Sequence, residues 1–165
     1  MATRSAIGYF QNGKVYSVYC HWDGYPENNG RILLDNYNTF KKVKELVSLG
    51  SISSLGIEIG EKHATIGLSV EQTKRIENMT TFYGRDREEK NVDAREFEDY
   101  FSYYKHYYDS GVEFFYVFTD GEWYYMPIQP LFRKKYHAWY FFDFSSNPPI
   151  SGWTKLDSYF MKKAA

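Results

Sequence analysis

Apolar and polar residues alternate from the start of the chain. In "RSAIGYFQNGKVYSVYCH", residues 4 to 21, β-rich runs flank Asn12-Gly13. Asn-Gly in that setting marks a two-residue hairpin turn, because both residues tolerate positive φ. The turn predicts the pairs Phe10–Val15, Tyr9–Tyr16 and Ile7–Val18. Ile7, Tyr9, Tyr16, Val18 and Cys20 then share one face. Gly8, Phe10, Val15, Ser17 and Tyr19 share the other, with Arg4 opposite His21 at its far end. A slip of one residue would exchange the faces.

Beyond a run of turn residues, "WDGYPENNG", the period lengthens. A helix is expected from Gly30 or Arg31 to Tyr37. "NTFKKVKELVSLG" predicts a second, capped by Asn38 or Thr39, striped by Phe40, Val43, Leu46 and Val47, and stopped by Gly50. Residues 57 to 78 have no dominant period, although Ser69 and Gln72 in "SVEQTKRIEN" have capping-box spacing. "MTTFYG", 79 to 84, reads as a strand and "RDREEKNVD" as a charged loop. The longest helix is expected over 93 to 111, with Asp93 as cap, Glu96 completing a capping box and Gly111 as stop. "VEFFYVFTDGEWYYMPI" predicts a second hairpin around Asp120-Gly121, and "KYHAWYFFDF", 135 to 144, a further strand. "MKKAA" reads as a frayed tail. The sum is an α+β fold in a single domain, 1–165. Its largely antiparallel sheet is built from N- and C-terminal hairpins, with helices packed on one side.

Composition narrows the function. The 43% hydrophobic content supports a core. With 20 basic and 21 acidic residues the chain has neither the surplus of a duplex binder nor that of a nucleic-acid mimic, so nucleic acid is not favoured as a partner. The single cysteine allows no internal disulfide and fits a reducing compartment. No apolar run reaches the ~18 residues of a membrane span, and no secretory pattern opens the chain, so no membrane association is expected. No P-loop, GxGxxG or GxSxG is present, and no cofactor is expected. The outlier is aromatic content, 21%, with 17 tyrosines. Tyrosine has an apolar body and a polar tip and favours interfaces.

Cys20, His21 and Asp23 are the residue types of a thiol nucleophile, its base and its orienter. On a strand, however, Cys20 and His21 point to opposite faces, so a buried thiol is the simpler reading. His21 and Asp23 share a face on an extended chain and could hold a metal with His63, Glu58, Glu61 or Asp86, but no zinc or EF-hand spacing accompanies them. No catalytic residue or metal ligand is therefore assigned.

Arg4, His21, Trp22, Asp23 and Tyr25 form the stronger combination. Guanidinium recognises phosphate, aromatic faces stack on bases, and a carboxylate can hold ribose hydroxyls. Tyr83, Arg85 and Arg87 add a candidate second wall, the two arginines projecting together from an extended segment. "FRKKYH", 132 to 137, is the densest basic run and reads as a solvated edge strand. Tyr103, Tyr107 and Tyr108 cannot all face inward with Tyr100 and Tyr104 from one helical stripe. They are expected at an interface, a homo-oligomer contact included.

"TRSAIG", "VYCHWDGYPENNG", "YNTFKKVKELVSLGSISSLG" and "FYGRD" together resemble a family of small proteins encoded by bacteriophages and prophages. The resemblance covers roughly the first 90 residues and carries over no catalytic residue. It implies an accessory protein in the cytoplasm of a bacterial host, of a kind that often blunts host defence. The first expectation is a protein that sequesters a small anionic, nucleotide-like ligand without turnover. The alternatives are an inhibitor that grips a host defence protein through its tyrosine-rich surface, and a metal-dependent hydrolase of nucleotides or nucleic acid using His21 and Asp23.

Overall fold

The computed structural model describes residues 1–128 and 152–165. The strand expected at 135 to 144 and the basic run at 132 to 137 lie outside the described residues. Among those residues the chain is α+β, a mostly antiparallel mixed sheet with helices packed against it.

β1 (Arg4–Gln11) and β2 (Lys14–Cys20) form the predicted hairpin in the predicted register. Asn12 and Gly13 adopt the positive φ angles that the turn requires, 53° and 78°. β3 (Ile52–Ser54) runs parallel to β2 at Cys20, and β4 (Thr81–Phe82) pairs with β3. β5 (Arg95–Phe97) lies along β2 at Val15 to Ser17, so two strands divide the outer edge of β2. β6 (Val112–Thr119) runs parallel to β1 and forms the second predicted hairpin with β7 (Glu122–Pro127), which pairs with the short β8 (Thr154–Lys155). Because β1 and β6 are parallel neighbours, both hairpin turns lie at one end of the sheet. Arg4 and the loop after Cys20 lie at the other.

The helices cover both faces, whereas the sequence pattern implied one. α1 (Arg31–Asn36) and α2 (Phe40–Ser48) pack Leu33, Val43 and Leu46 against Ile7, Val18 and Cys20. α5 (Tyr100–Tyr108) packs its tyrosines against Ala6, Val15, Phe115 and Val117 on the opposite face. The sheet residues facing α5 are small or apolar and read equally well as a second core.

Three boundaries also move. The expected helix from Asp93 to Gly111 begins only at Tyr100, capped by Asp99, whose carboxylate accepts from Ser102 N at 2.8 Å. Residues 95–97 instead pair with β2, because "REF" supplies Phe97 to the α5 core and Glu96 as an ion-pair partner to Lys14, and edge pairing satisfies their backbone. After β4, Tyr83–Arg87 forms one helical turn, α4, where strand and loop were expected. The expected frayed tail belongs to α6 (Leu156–Ala164), which Lys163 and Tyr159 tie to Glu27.

Residues 57 to 78 form an excursion between β3 and β4. Glu58 N to Asn78 O, 3.0 Å, and Thr80 N to Glu58 O, 2.8 Å, close its neck. It carries α3 (Val70–Ile76), opened by the predicted Ser69–Gln72 capping box and burying none of its residues.

Candidate functional site

The loop after β2 is strapped down from beneath. The buried Asn29 amide donates to Ser5 Oγ, Cys20 Sγ and Trp22 O, at 3.2, 3.3 and 3.2 Å. Tyr116 donates to Gly24 O at 2.8 Å, and Gly24 N donates to Thr3 O. A Cβ at Gly24 would lie 2.8–2.9 Å from Ser5 and the Arg4 carbonyl carbon, so only glycine lets the loop cross β1 this closely. His21 N and Trp22 N bond to Ile52 O and Ser53 O of β3, extending the ladder by two residues. Asp23 then turns the chain at a φ of 55°. The loop therefore presents His21 and Trp22 from a fixed backbone.

Cys20 is fully buried, and burial pushes its thiol pKa up to about 12. It faces the α1–α2 core, away from His21, and has no character of a nucleophile. Among the described residues Asp23 binds through its backbone carbonyl alone, which accepts from Asn28 and Asn29, and its turn breaks the extended geometry that would align it with His21. No group of three His, Cys, Asp or Glu residues among the described residues is placed to hold a metal.

Five of the predicted site residues converge: Arg4, His21, Trp22, Tyr83 and Arg87. Arg4 and Tyr19 share the α5 face of the hairpin with His21, as the register dictates. The Tyr19 hydroxyl lies 2.8 Å from His21 Nδ1, and the His21 ring meets the Trp22 ring edge-on, with centroids 4.6 Å apart. Burial raises the Tyr19 pKa, with Arg4 pulling it back down and the Tyr83 hydroxyl adding to the rise. The His21 pKa is lowered by burial first, then by the positive charges of Arg4 and Arg87. Pairing of β4 with β3 and the Tyr83 N to Ser51 O bond place α4 at this end of the sheet, where the charges of Arg87 and Tyr83 act on His21 and Tyr19. The Arg87 guanidinium also lies 5.1 Å above the Tyr83 ring. Trp22 is 45% exposed, and Arg87 is exposed with a loose 3.5 Å contact to Glu89. The exposed side chains of Asp23 and Tyr25 neither hydrogen-bond to nor stack on Arg4 or His21 among the described residues.

Arg85 is a correction. It was expected to project with Arg87 toward an anion, but on a helical turn positions two apart face different ways. Its guanidinium has five N–H donors, and the protein uses all of them. Nε and Nη2 grip the Asp86 carboxylate at 2.9 and 3.1 Å. Nη2 also reaches Thr80 O at 2.9 Å, and Nη1 reaches Ile59 O and Gly60 O at 3.0 and 3.1 Å. The group lies 4.6 Å over the Phe82 ring. No donor is left for a ligand.

Asp86 is correspondingly structural. Burial opposes its charge, but hydrogen bonds from Arg85, Phe82 N and His63 N outweigh that and hold its pKa below the ordinary carboxylate value. His63 completes this strap, with Nδ1 2.8 Å from Glu61 O and Nε2 3.1 Å from Thr81 Oγ1. A hydroxyl, an imidazole and a carboxylate thus lie in sequence, but the carboxylate is neutralised by Arg85 and lies 3.7 Å from Nδ1, so this is the closure of the excursion's neck.

The interface expected on α5 is also corrected. Tyr103 and Tyr107 are 0% and 4% exposed, and Tyr100 and Tyr104 are buried beside them. Only Tyr108 is half-buried. The apolar stripe is wider than one helix face normally offers, because Phe97 of β5 covers one flank and Trp153 the other. Tyr103 satisfies its hydroxyl on Tyr116 O at 3.0 Å.

Sequence reasoning missed Tyr19 and Asn29. Period two already placed Tyr19 on the face of Arg4 and His21, whereas nothing local distinguishes Asn29 from its neighbour Asn28. Comparison with known proteins adds no relative: no family model, curated protein or solved structure matches the chain.

Proposed function

We propose that the protein binds a small anionic, nucleotide-like ligand on the patch made by Arg4, Tyr19, His21, Trp22, Tyr83 and Arg87, and sequesters it without turnover. The observation that carries this reading is the convergence of two arginines on one histidine beside an exposed indole. Cations brought together repel one another, and an anion between them relieves that repulsion. Arg4 and Arg87 take the phosphate, and Trp22 offers its face to a base. With Tyr19 donating to Nδ1, the neutral imidazole carries its proton on Nε2 and keeps one N–H donor. The resemblance of the N-terminal half to phage-encoded proteins makes an accessory role against host defence the reading of this binding.

The test is a thermal-shift screen with mononucleotides, cyclic oligonucleotides and ADP-ribose derivatives. Ligand at about 100 times Kd adds ~2.7 kcal/mol, a shift of roughly 5–10 °C for a chain of this size. Arg4→Ala and Trp22→Ala are expected to abolish the shift while retaining the unliganded melting temperature. Undiminished shifts in both variants exclude this patch, and a ligand recovered chemically altered replaces sequestration with turnover.

A further inference from the structure

A second recess lies at the opposite end of the sheet, roughly 23 Å from Arg4 along the eight residues of β1. It opens between the two hairpin turns and has a cavity volume of about 430 Å³. Phe10 and Asn12 of the first hairpin, Phe118 and Asp120 of the second, and Asn38 and Phe40 before and in α2 form its walls. A neighbouring recess of about 220 Å³ shares Asn38, Phe118 and Gly121 and continues the trough past Trp123 toward Glu122 and Asp157. The chemistry of this end inverts that of the Arg4 patch. Among the described residues no Lys, Arg or His lines either recess, and every charged lining residue is acidic.

The carboxylates are not equivalent. Glu122 is engaged by Lys155 at 2.8 Å, and Asp157 accepts from Ser158 N. Asp120 makes no hydrogen bond or ion pair among the described residues, and it is exposed at the turn with a φ of 51°. An unpaired carboxylate over an aromatic floor suits one ligand class. Ring faces and a carboxylate both attract a cation, and both disfavour an anion. The walls beneath are apolar enough to cover a hydrocarbon or ring, with the Asn12 and Asn38 amides as acceptors at the rim.

The geometry points to this trough as a binding site for a small organic cation, a protonated amine carried on an apolar body. The ammonium sits at Asp120 and the body lies against the half-exposed Phe40 ring, with Phe118 beneath it on the same face of the sheet. This site is independent of the anion patch, from which the whole length of the hairpin separates it.

The experiment is a backbone-amide NMR titration of the full chain with phenethylamine, and in parallel with 2-phenylethanol, its uncharged counterpart. Saturable shifts confined to Asn12, Asn38, Gly121 and their neighbours are expected with the amine, and much weaker ones with the alcohol. Asp120→Asn preserves the turn, because Asn-Gly is the preferred pair there. It is expected to weaken amine binding about five-fold, which corresponds to ~1 kcal/mol. Phe40→Ala, on a side chain 36% exposed, is expected to weaken both probes. Equal shifts from amine and alcohol, an unchanged affinity in Asp120→Asn, or no shift at the trough overturns the proposal.

Discussion

Arg85 and Arg87 stand two residues apart on one helical turn, yet the protein uses them in opposite ways. Arg85 is 14% exposed, with every N–H donor engaged by Asp86 and three backbone carbonyls. Arg87 is 42% exposed, and its one ionic contact among the described residues is a loose one to Glu89. The first holds the neck of the excursion to the sheet, and the second lies over the Tyr83 ring with its charge lowering the His21 pKa. A residue type does not identify a binding group. What matters is how many of its donors the fold leaves unengaged, and by that measure the structural region around Asp86 and the patch around Arg4 are sharply different neighbours.

The largest expected effect breaks the structural side of this comparison. Asp86→Ala leaves the Arg85 guanidinium partly buried without its counter-charge, and removes acceptors from Phe82 N and His63 N. A loss of ~3–5 kcal/mol is expected in urea denaturation. Arg87→Ala removes an exposed side chain and is expected to change stability by less than about 0.5 kcal/mol. Comparable losses in the two variants would erase the distinction.

A smaller effect comes from the strap beneath the loop. Asn29→Ala removes one amide that serves Ser5, Cys20 and Trp22 O, and a cost of ~1–3 kcal/mol is expected by the same measurement. Amide exchange over residues 22 to 25 is expected to rise with it, since the loop backbone is held from that side chain. Protection equal to that of the parent chain would mean that Tyr116 and Thr3 suffice.

How much of this was legible in the sequence follows from the range of the interactions. Both hairpins were readable to the residue, because Asn12-Gly13 and Asp120-Gly121 fix their registers through local φ preferences. The convergence of Arg4 with His21 followed from that register alone. The role of Arg85 was not readable, because its acceptors are carbonyls at residues 59, 60 and 80, which a closing loop delivers and no side-chain pattern encodes. The start of α5 was misplaced for a related reason. Asp93 and Glu96 have capping-box spacing, but the edge of β2 offered Arg95–Phe97 a ladder, and tertiary pairing overrode the local signal. The burial of Tyr103 and Tyr107 depends on Phe97 and Trp153 flanking the helix, 56 residues apart in sequence and adjacent only in the fold.

Those tyrosines give a third, weaker test. Tyr103→Phe removes the hydroxyl bonded to Tyr116 O and is expected to cost about 1 kcal/mol, with no change in sedimentation behaviour. An association state that shifts while stability stays fixed would return α5 to the role of an interface.

The smallest effect sharpens the patch itself and is read from one proton. The His21 pKa is lowered below its ordinary 6.5 by burial, Arg4 and Arg87. Between the folded value and 6.5 the unfolded chain therefore binds more protons at this site. The contribution of His21 to stability is complete above pH 6.5 and declines as pH falls through the folded value. His106 is lowered in the same sense by burial and Arg95, so a bulk denaturation curve would mix the two, and site-resolved NMR of the imidazole separates them. The His21 midpoint is expected below 6.5 in the free protein and upward of that position in Arg87→Ala. A bound nucleotide phosphate screens both arginines and is expected to raise it further. By linkage, affinity for that anion then increases as pH drops through the His21 midpoints. A midpoint indifferent to Arg87→Ala would separate α4 from the hairpin end and leave Arg4 as the patch's one arginine beside His21.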